Sequence, residues 1–337
     1  MSTFAGPNAF AEELRAVGTA RYHDKHPFHS RMHAGDLSRD ELRRWVLNRY
    51  YYQTRIPIKD ALILSKAEDP GFRRVWIKRI FDHDGRPAEQ GQMTSEGGLE
   101  QWRRLAAAVG CDVDEVTSLR SVLPNVRSAC NAYVQFVREH SLLEAVAASL
   151  TELFAPELMS RRVDAWLAHY AWVEPAGLDY FRTRVKRAER DSLEAMNYVV
   201  MHATVRDMQV QCIKAVELKC AILWALLDAV EAAGRSARTV LSGRPTLASM
   251  ARLRDRPQSG DRLLLSPERG LELSESAAVI LSLCDGSRTV DELVSALSAN
   301  YDAVERETIA GDVDEFLKSM VDRGVLRLVV ESNGDGR

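Results

Sequence analysis

The sequence predicts an all-α helical bundle followed by a small α+β, winged-helix-like module. Two observations carry this. Between Arg127 and Ala233 the only glycine is Gly177 and the only prolines are Pro156 and Pro175, in a stretch rich in Ala, Leu, Arg and Glu. Long helices are expected there. After Gly234 the texture changes to Ser, Gly, Arg and Pro, and short alternating apolar runs follow. The expected organisation is a helical domain over 1–233, a linker over 234–250, the small module over 251–330 and a disordered polar tail over 331–337.

Each element has a local signal. Ser38 and Glu41 have the spacing of a capping box, which starts a helix expected to run to about Thr54. Pro57 suits the first turn of the next. A further helix is expected over 72–81. The segment 85–98 holds four glycines and a proline and is expected as a loop. Thr204 and Asp207 repeat the capping-box spacing before a last helix to about Ala233. Seven or eight helices and no strand are expected before Gly234.

In the second module, 262–265 and 270–273 flank Ser266-Pro267-Glu268-Arg269 and predict a hairpin. Helices are expected over 275–283, 289–300 (opened by the Thr289/Glu292 capping pair) and 305–322, and a last strand over 325–330.

Composition excludes several classes. The 337 residues are 46% apolar and 28% charged, as in a protein with a real core. The formal charge of −3 gives the chain no electrostatic footprint for nucleic acid. No apolar run is long enough to span a bilayer, and the first ten residues lack the order of a signal peptide, so the expectation is a cytoplasmic protein without membrane contact. The five cysteines form no CxxC pair, so buried free thiols are expected.

The chemical clue is polar groups where helices should be dry. Leu42, Trp45, Arg49, Tyr52 and Gln53 share one helix face. Phe72, Trp76, Arg79, Ile80 and His83 share another, and Lys219 sits within the stripe Cys212, Val216, Leu223 and Leu227. Tyr180 and Arg184 are one turn apart. Any one such cation is most simply a helix-bridging or snorkelling side chain. Recurring in separate helices with tyrosines and a histidine, they predict one pocket for a polyanionic ligand. His23, His26, His29 and His33 form a second cluster. His29 and His33 have a metal-ligand spacing, but HExxH is absent and Pro27 favours helix capping, so no metal site is expected.

At these residues the sequence resembles the pyrroloquinoline-quinone synthase family. The stretches are RYHDKHPFHSRMHAG (21–35), NRYYYQTRIPIKDA (48–61), RIFDHDG (79–85), SLTELFAP (149–156), YFRTR (180–184) and KAVELKCAILWALLDA (214–229). The resemblance spans about 10–233. It implies a haem-oxygenase-like helical fold, usually a homodimer, and an oxidase with no metal or organic cofactor. Its substrate is a tricarboxylated bicyclic amino acid, an amino-carboxyethyl dioxo-octahydroquinoline dicarboxylate. The enzyme closes a further ring and oxidises the product with dioxygen as co-substrate, releasing hydrogen peroxide.

Carried over residue by residue, the resemblance implies that Tyr22, Arg49, Gln53, Arg79, Tyr133, Glu152 and Arg162 bind substrate. It implies that His83, Tyr180, Arg184, Lys219 and His23 form the catalytic set. Arg49, Arg79 and Arg162 would hold carboxylates, and His23 or His83 would move protons. Met159 stands where the pattern has a pocket histidine. The second module, through RPTLASMARLR (244–254) and SPERGLELSESAAVILSLCDGSRTVDELVSAL (266–297), resembles the D component of the same pathway. That implies a chaperone that presents a precursor peptide to a radical S-adenosylmethionine enzyme, with the peptide added as a strand at the hairpin edge. Two other readings stand beside this one: a metal-dependent oxygenase on the same helices, and a catalytically silent scaffold. A cut near Thr246 is expected to part the oxidase from the peptide-binding module.

Overall fold

Prolines and side-chain caps set most of the helix starts. The computed structural model describes residues 4–86, 96–248, 251–255, 262–266, 269–300 and 306–329. The tail expected over 331–337 and most of the loop expected over 85–98 lie outside them. Helix α1 (Pro7–Arg21) opens on a proline. Helix α2 (Pro27–Ala34) is capped by His26, whose Nδ1 accepts from the Phe28 amide, and ends at Gly35 with φ +83°. Helix α3 (Arg39–Lys66) starts at the Ser38/Glu41 capping box. Helix α4 (Pro70–Asp84) starts at Asp69, whose carboxylate accepts from the Gly71 and Phe72 amides.

The chain continues through α5 (Gly98–Ala108), α6 (Val113–Ser118), α7 (Pro124–Glu139) and α8 (Leu142–Ala148). A 3₁₀ turn, Ser149–Phe154, leads into α9 (Ala155–His169). Helices α10 (Asp179–His202) and α11 (Arg206–Ser242) complete the bundle. Helix α3 packs on α4, α5 and α7, and α10 packs on α8, α9 and α5. Between them Trp45, Trp102, Trp166 and Phe181 form one buried aromatic cluster.

Three expectations change. Helix α3 does not end near Thr54: it runs through Pro57. Proline removes only its own bond to the Gln53 carbonyl, and the buried face on both sides of it, from Tyr52 to Ile63, keeps the helix packed. The Thr204/Asp207 pair forms no capping box. The Thr204 hydroxyl meets Met208 Sδ, and the helix begins at Arg206. More helices exist than expected because α6 and α8 have only six and seven residues, too few turns to show a period, while α2 opens at Pro27 as anticipated.

The join also differs. Helix α11 continues nine residues past Ala233, because Gly234 alone, with no proline before Pro245, cannot stop a helix already propagating. Strand β1 (Arg244–Leu247) follows at once and pairs antiparallel with β5 (Leu326–Val329). The residues expected as a linker are therefore largely helix and strand. The chain divides into two compact units, Met1–Ala232 and Ala233–Arg337.

In the second unit β2 (Arg252–Asp255), β3 (Arg262–Ser266) and β4 (Arg269–Leu273) form an antiparallel sheet in that order. The expected hairpin is β3–β4, while β1 and β2 were not anticipated. Helices α12 (Glu275–Ser282), α13 (Val290–Ser298) and α14 (Arg306–Asp322) lie close to their expected bounds. This unit has its own core, centred on Leu281, Leu293, Val294, Val313 and Leu317.

Candidate functional site

A cavity inside the helical bundle gathers polar side chains from five elements, with an apolar contribution from a sixth. Helix α3 supplies Arg49, Tyr52 and Gln53, and the turn after α1 supplies Tyr22 and His23. The 3₁₀ turn 149–154 gives Thr151 and Glu152, α9 gives Met159 and Arg162, α10 gives Tyr180 and Arg184, and α11 gives Leu223. The space left for water-sized molecules is about 50 Å³.

The cations here are of two kinds. Arg79 and Arg184 are neutralised in place. Glu152 takes Arg79 on Oε2 at 2.6 Å and Arg184 on Oε1 at 3.0 Å. Asp191, fully buried, pairs with Arg184 at 3.3 Å, and its carbonyl accepts from Arg79. Burial alone would raise the Glu152 carboxyl, but Arg79 and Arg184 hold it down to about 2.

Arg49, Arg162 and Lys219 are the other kind. Each is at most 8% exposed, and among the described residues none has a carboxylate partner. Arg49 lies over the Tyr52 ring at 4.0 Å with Nη1 unbonded. Arg162 lies between Trp45 and Phe181, at 4.9 and 5.2 Å, and among the described residues its amino groups bond only His29 Nε2 (3.2 Å) and Met159 Sδ (3.7 Å). Lys219 donates to the Tyr52 hydroxyl at 2.8 Å and lies 3.7 Å from the Tyr133 ring centre. Burial and the neighbouring Arg49 push Arg162 down to about 9 and Lys219 well below the usual lysine range. Buried, uncompensated positive charge is costly, and an anionic ligand relieves the cost.

His23 and His83 favour the neutral form. Burial, with Arg49 and Arg162 beside it, keeps His23 well below the usual imidazole range, and its Nδ1 has no partner. Burial and Arg184 push His83 down to about 3. Its Nδ1 meets the Arg79 carbonyl at 3.0 Å, so it carries the proton, and the buried Nε2 is left as an unmatched acceptor.

Of the residues singled out in the sequence, Tyr22, His23, Arg49, Gln53, Glu152, Arg162, Tyr180 and Arg184 line the cavity. Tyr180 donates to Gln53 Oε1 at 2.8 Å. Arg79, His83, Tyr133 and Lys219 stand behind the wall. They reach it through Glu152, through the Arg79 carbonyl and through Tyr52. Arg79 is thus paired within the chain itself, with the Glu152 carboxylate and the Asp191 backbone carbonyl. Met159 lines the cavity and offers Arg162 a weak sulfur acceptor.

Sequence reasoning missed Lys59, Asp60 and Asp191. Lys59 donates to Ser149 Oγ at 3.0 Å and pairs with Asp60 at 2.8 Å, both fully buried. Asp60 also accepts from Trp76 Nε1 at 2.9 Å, and burial raises its carboxyl despite Lys59. Adjacent opposite charges look like a solvated pair in sequence. Only the partners brought from α4 and the 149–154 turn bury them. Among the described residues no group of three His, Cys, Asp or Glu side chains is arranged to hold a metal ion.

The second unit carries a groove of about 310 Å³, lined by Ala277, Ile280, Leu297, Ile309, Val313 and Phe316 with Ser274, Ser276 and Asp312 at its polar edge. Strands β2 and β4 are the edges of its three-stranded sheet.

Comparison with known proteins supplies the context. The TENA/THI-4/PQQC family profile matches residues 11–229, and the profile described as coenzyme PQQ synthesis protein D (PqqD) matches residues 262–326. The bifunctional coenzyme PQQ synthesis protein C/D of Methylorubrum extorquens is 38% identical, covering 93% of this chain and 93% of its own. The pyrroloquinoline-quinone synthase of Rhizobium meliloti is 49% identical, over 69% of this chain and 89% of its own. Among solved structures, a domain of unknown function with a heme oxygenase-like fold from Shewanella denitrificans superposes with a TM-score of 0.56 at 11% identity. It covers 70% of this chain and 97% of that one, a likeness of fold alone.

Proposed function

Because the chain belongs to the TENA/THI-4/PQQC family and joins to it a PqqD-type module, we propose that it is a dioxygen-dependent pyrroloquinoline-quinone synthase fused to a precursor-peptide chaperone. Its place is in pyrroloquinoline quinone (PQQ) biosynthesis, and its helical part is an enzyme. The observation that carries the chemistry is the set of three buried cations, Arg49, Arg162 and Lys219, without carboxylate partners among the described residues. A bicyclic tricarboxylate supplies the missing negative charge.

The reaction closes a ring and then removes electrons. In each oxidation two electrons and two protons leave the substrate, and dioxygen takes them as hydrogen peroxide. Triplet dioxygen accepts electrons one at a time, so the site must make the substrate a good donor and stabilise the reduced oxygen. Fixed cations and donors away from water do both. Arg49 and Arg162 hold carboxylates. His23 and His83, neutral with one unmatched ring nitrogen each, accept protons. Tyr180, Arg184 and Lys219 stabilise the reduced oxygen, with Glu152 fixing Arg184. No organic cofactor or metal enters this scheme.

The second module presents a precursor peptide to a radical S-adenosylmethionine enzyme, the peptide adding a strand at a sheet edge. The helical part pairs as a homodimer, the assembly its resemblance implies; a monomer mass in light scattering would remove that element. No helix among the described residues is long and apolar enough to cross a membrane. The deciding experiment is incubation of folded protein with the ring-open precursor and dioxygen. Quinone absorbance with peroxide release is the expected result, and no product from folded protein would overturn the synthase reading. Turnover that requires stoichiometric iron would replace the metal-free scheme.

A further inference from the structure

We infer that His29, outside the cavity wall, is a positioning residue that aims Arg162 at the ligand through a neutral acceptor and so leaves the arginine's charge uncancelled. The inference rests on the proposed function only for the identity of the anion.

His29 is 1% exposed, and among the described residues its two ring nitrogens have one hydrogen-bond partner each. Its Nδ1 lies 2.9 Å from the backbone oxygen of His23, and its Nε2 lies 3.2 Å from Arg162 Nη2. A carbonyl can only accept and a guanidinium can only donate. Both contacts therefore demand one tautomer: Nδ1 protonated, Nε2 bare. A proton added to Nε2 would set N–H against N–H. The same ring thus ties together two groups of the cavity wall from different elements, His23 on the turn after α1 and Arg162 on α9.

The choice of acceptor matters. Arg79 and Arg184 receive carboxylates from Glu152 and Asp191 and are neutralised by them. At Arg162 the chain supplies an uncharged nitrogen, a weak thioether and two aromatic faces, and Nε stays unbonded. A carboxylate at position 29 would hold the guanidinium as firmly but cancel its charge. Histidine fixes direction while the full charge remains for the ligand.

Three variants separate direction from charge. In His29→Gln the amide oxygen reaches the place of Nε2 and stays neutral. His29→Glu puts a negative charge there, and His29→Leu has no acceptor. The readouts are the Kd of the quinone tricarboxylate product and the KM and kcat for its ring-open precursor. We expect the Gln variant within about threefold of the parent, and the Leu and Glu variants about tenfold or more weaker in Kd and KM, with kcat changed far less. A merely structural role predicts that Glu, with its ion pair to Arg162, restores both stability and binding. Glu binding as well as Gln, or Leu as well as the parent, overturns the inference. If Leu does not fold, the Gln–Glu comparison decides. If no tricarboxylate binds the parent, the synthase reading fails instead. The ¹⁵N spectrum of the parent then decides: His29 must show a protonated Nδ1 and a bare Nε2, and the other tautomer or the imidazolium overturns the inference.

Discussion

At the level of single residues, the site is a balance between buried charge that the chain neutralises and buried charge that it leaves open. Glu152 and Asp191 neutralise Arg79 and Arg184, whereas Arg49, Arg162 and Lys219 have no such partner among the described residues. Binding a polyanion must then change protonation. Burial and the neighbouring cations hold Lys219 and His23 low in the free protein, and an arriving carboxylate favours the charged form of each by opposing the neighbouring cations. Product binding is therefore expected to take up protons. Calorimetry in buffers of different ionisation enthalpy checks this, and proton release on binding would contradict it. His83 makes a separate prediction. It lies behind the wall with Nε2 unmatched, so His83→Asn should lower single-turnover oxidation by about tenfold or more while the Kd of the product moves little. Unchanged oxidation would remove His83 from the chemistry. The sequence made Arg49, Arg162 and Lys219 visible because each breaks an apolar stripe. Lys59, Asp60 and Asp191 sit among other charges in their own segments, and only tertiary partners bury them.

At the level of elements, caps were the most legible signals and helix ends the least. Ser38/Glu41 and Thr289/Glu292 form the boxes their spacing predicts. Thr204/Asp207 has the same spacing and forms none, because Arg206 opens the helix and the Thr204 hydroxyl turns to Met208. Pro57 marked a helix start in sequence but lies inside α3, where packing against α4 and α7 outweighs one lost backbone bond. The Ser38 cap matters because α3 carries Arg49, Tyr52 and Gln53 eleven or more residues downstream. Ser38→Ala is expected to cost about 1 kcal/mol in denaturant unfolding while the KM for precursor stays put. A large KM change would mean that the start of α3 moves the site. Close packing at α1 gives a sharper case. A Cβ on Gly18 would lie within 2 Å of the Phe154 ring (1.9 Å to Cε2), and that ring packs 5.3 Å from Tyr22 of the cavity wall. Gly18→Ala should therefore cost about 1–3 kcal/mol and also weaken product binding. Wild-type stability in that variant would show that Phe154 swings aside freely.

For the whole molecule, two consequences follow from how the units are built. The first is acid sensitivity. His23, His29 and His83 are buried neutral, with pKa values lowered by burial and nearby cations. Between the unfolded and folded pKa values the unfolded chain binds more protons, so stability falls as pH falls. For His83 the window runs from about 6.5 down to about 3. Each such histidine contributes about 1.4 kcal/mol per pH unit inside its window. Denaturant midpoints of the helical unit should drop steeply below pH 6.5, less so in His83→Asn; a flat profile would mean that these imidazoles are charged in the fold. The second concerns where the chain can be divided. Composition alone marked 234–250 as a linker and Thr246 as a cutting point, because Ser, Gly and Arg are as common in linkers as at helix ends. Instead α11 runs to Ser242, and Thr246 lies in β1, opposite Arg327 of β5 and bridged to Asp285. A cut at Thr246 would strip half of that strand from the second unit. A cut between Ser242 and Gly243 keeps the site and the β1–β5 pair whole, although it leaves residues 233–242 of the second unit on the first piece: every site residue lies before it, the last being Leu223, and the whole of β1 lies after it. Piece 1–242 should then keep kcat/KM for precursor within about twofold, and piece 243–337 should keep precursor-peptide affinity, as expected of units with separate cores. A second-unit piece that starts at Leu247 should lose peptide binding and melt at lower temperature. If 1–242 folds but loses oxidation, the second unit contributes to catalysis and fusion has a chemical purpose. If both pieces work alone, co-production of two pathway functions suffices to explain the join.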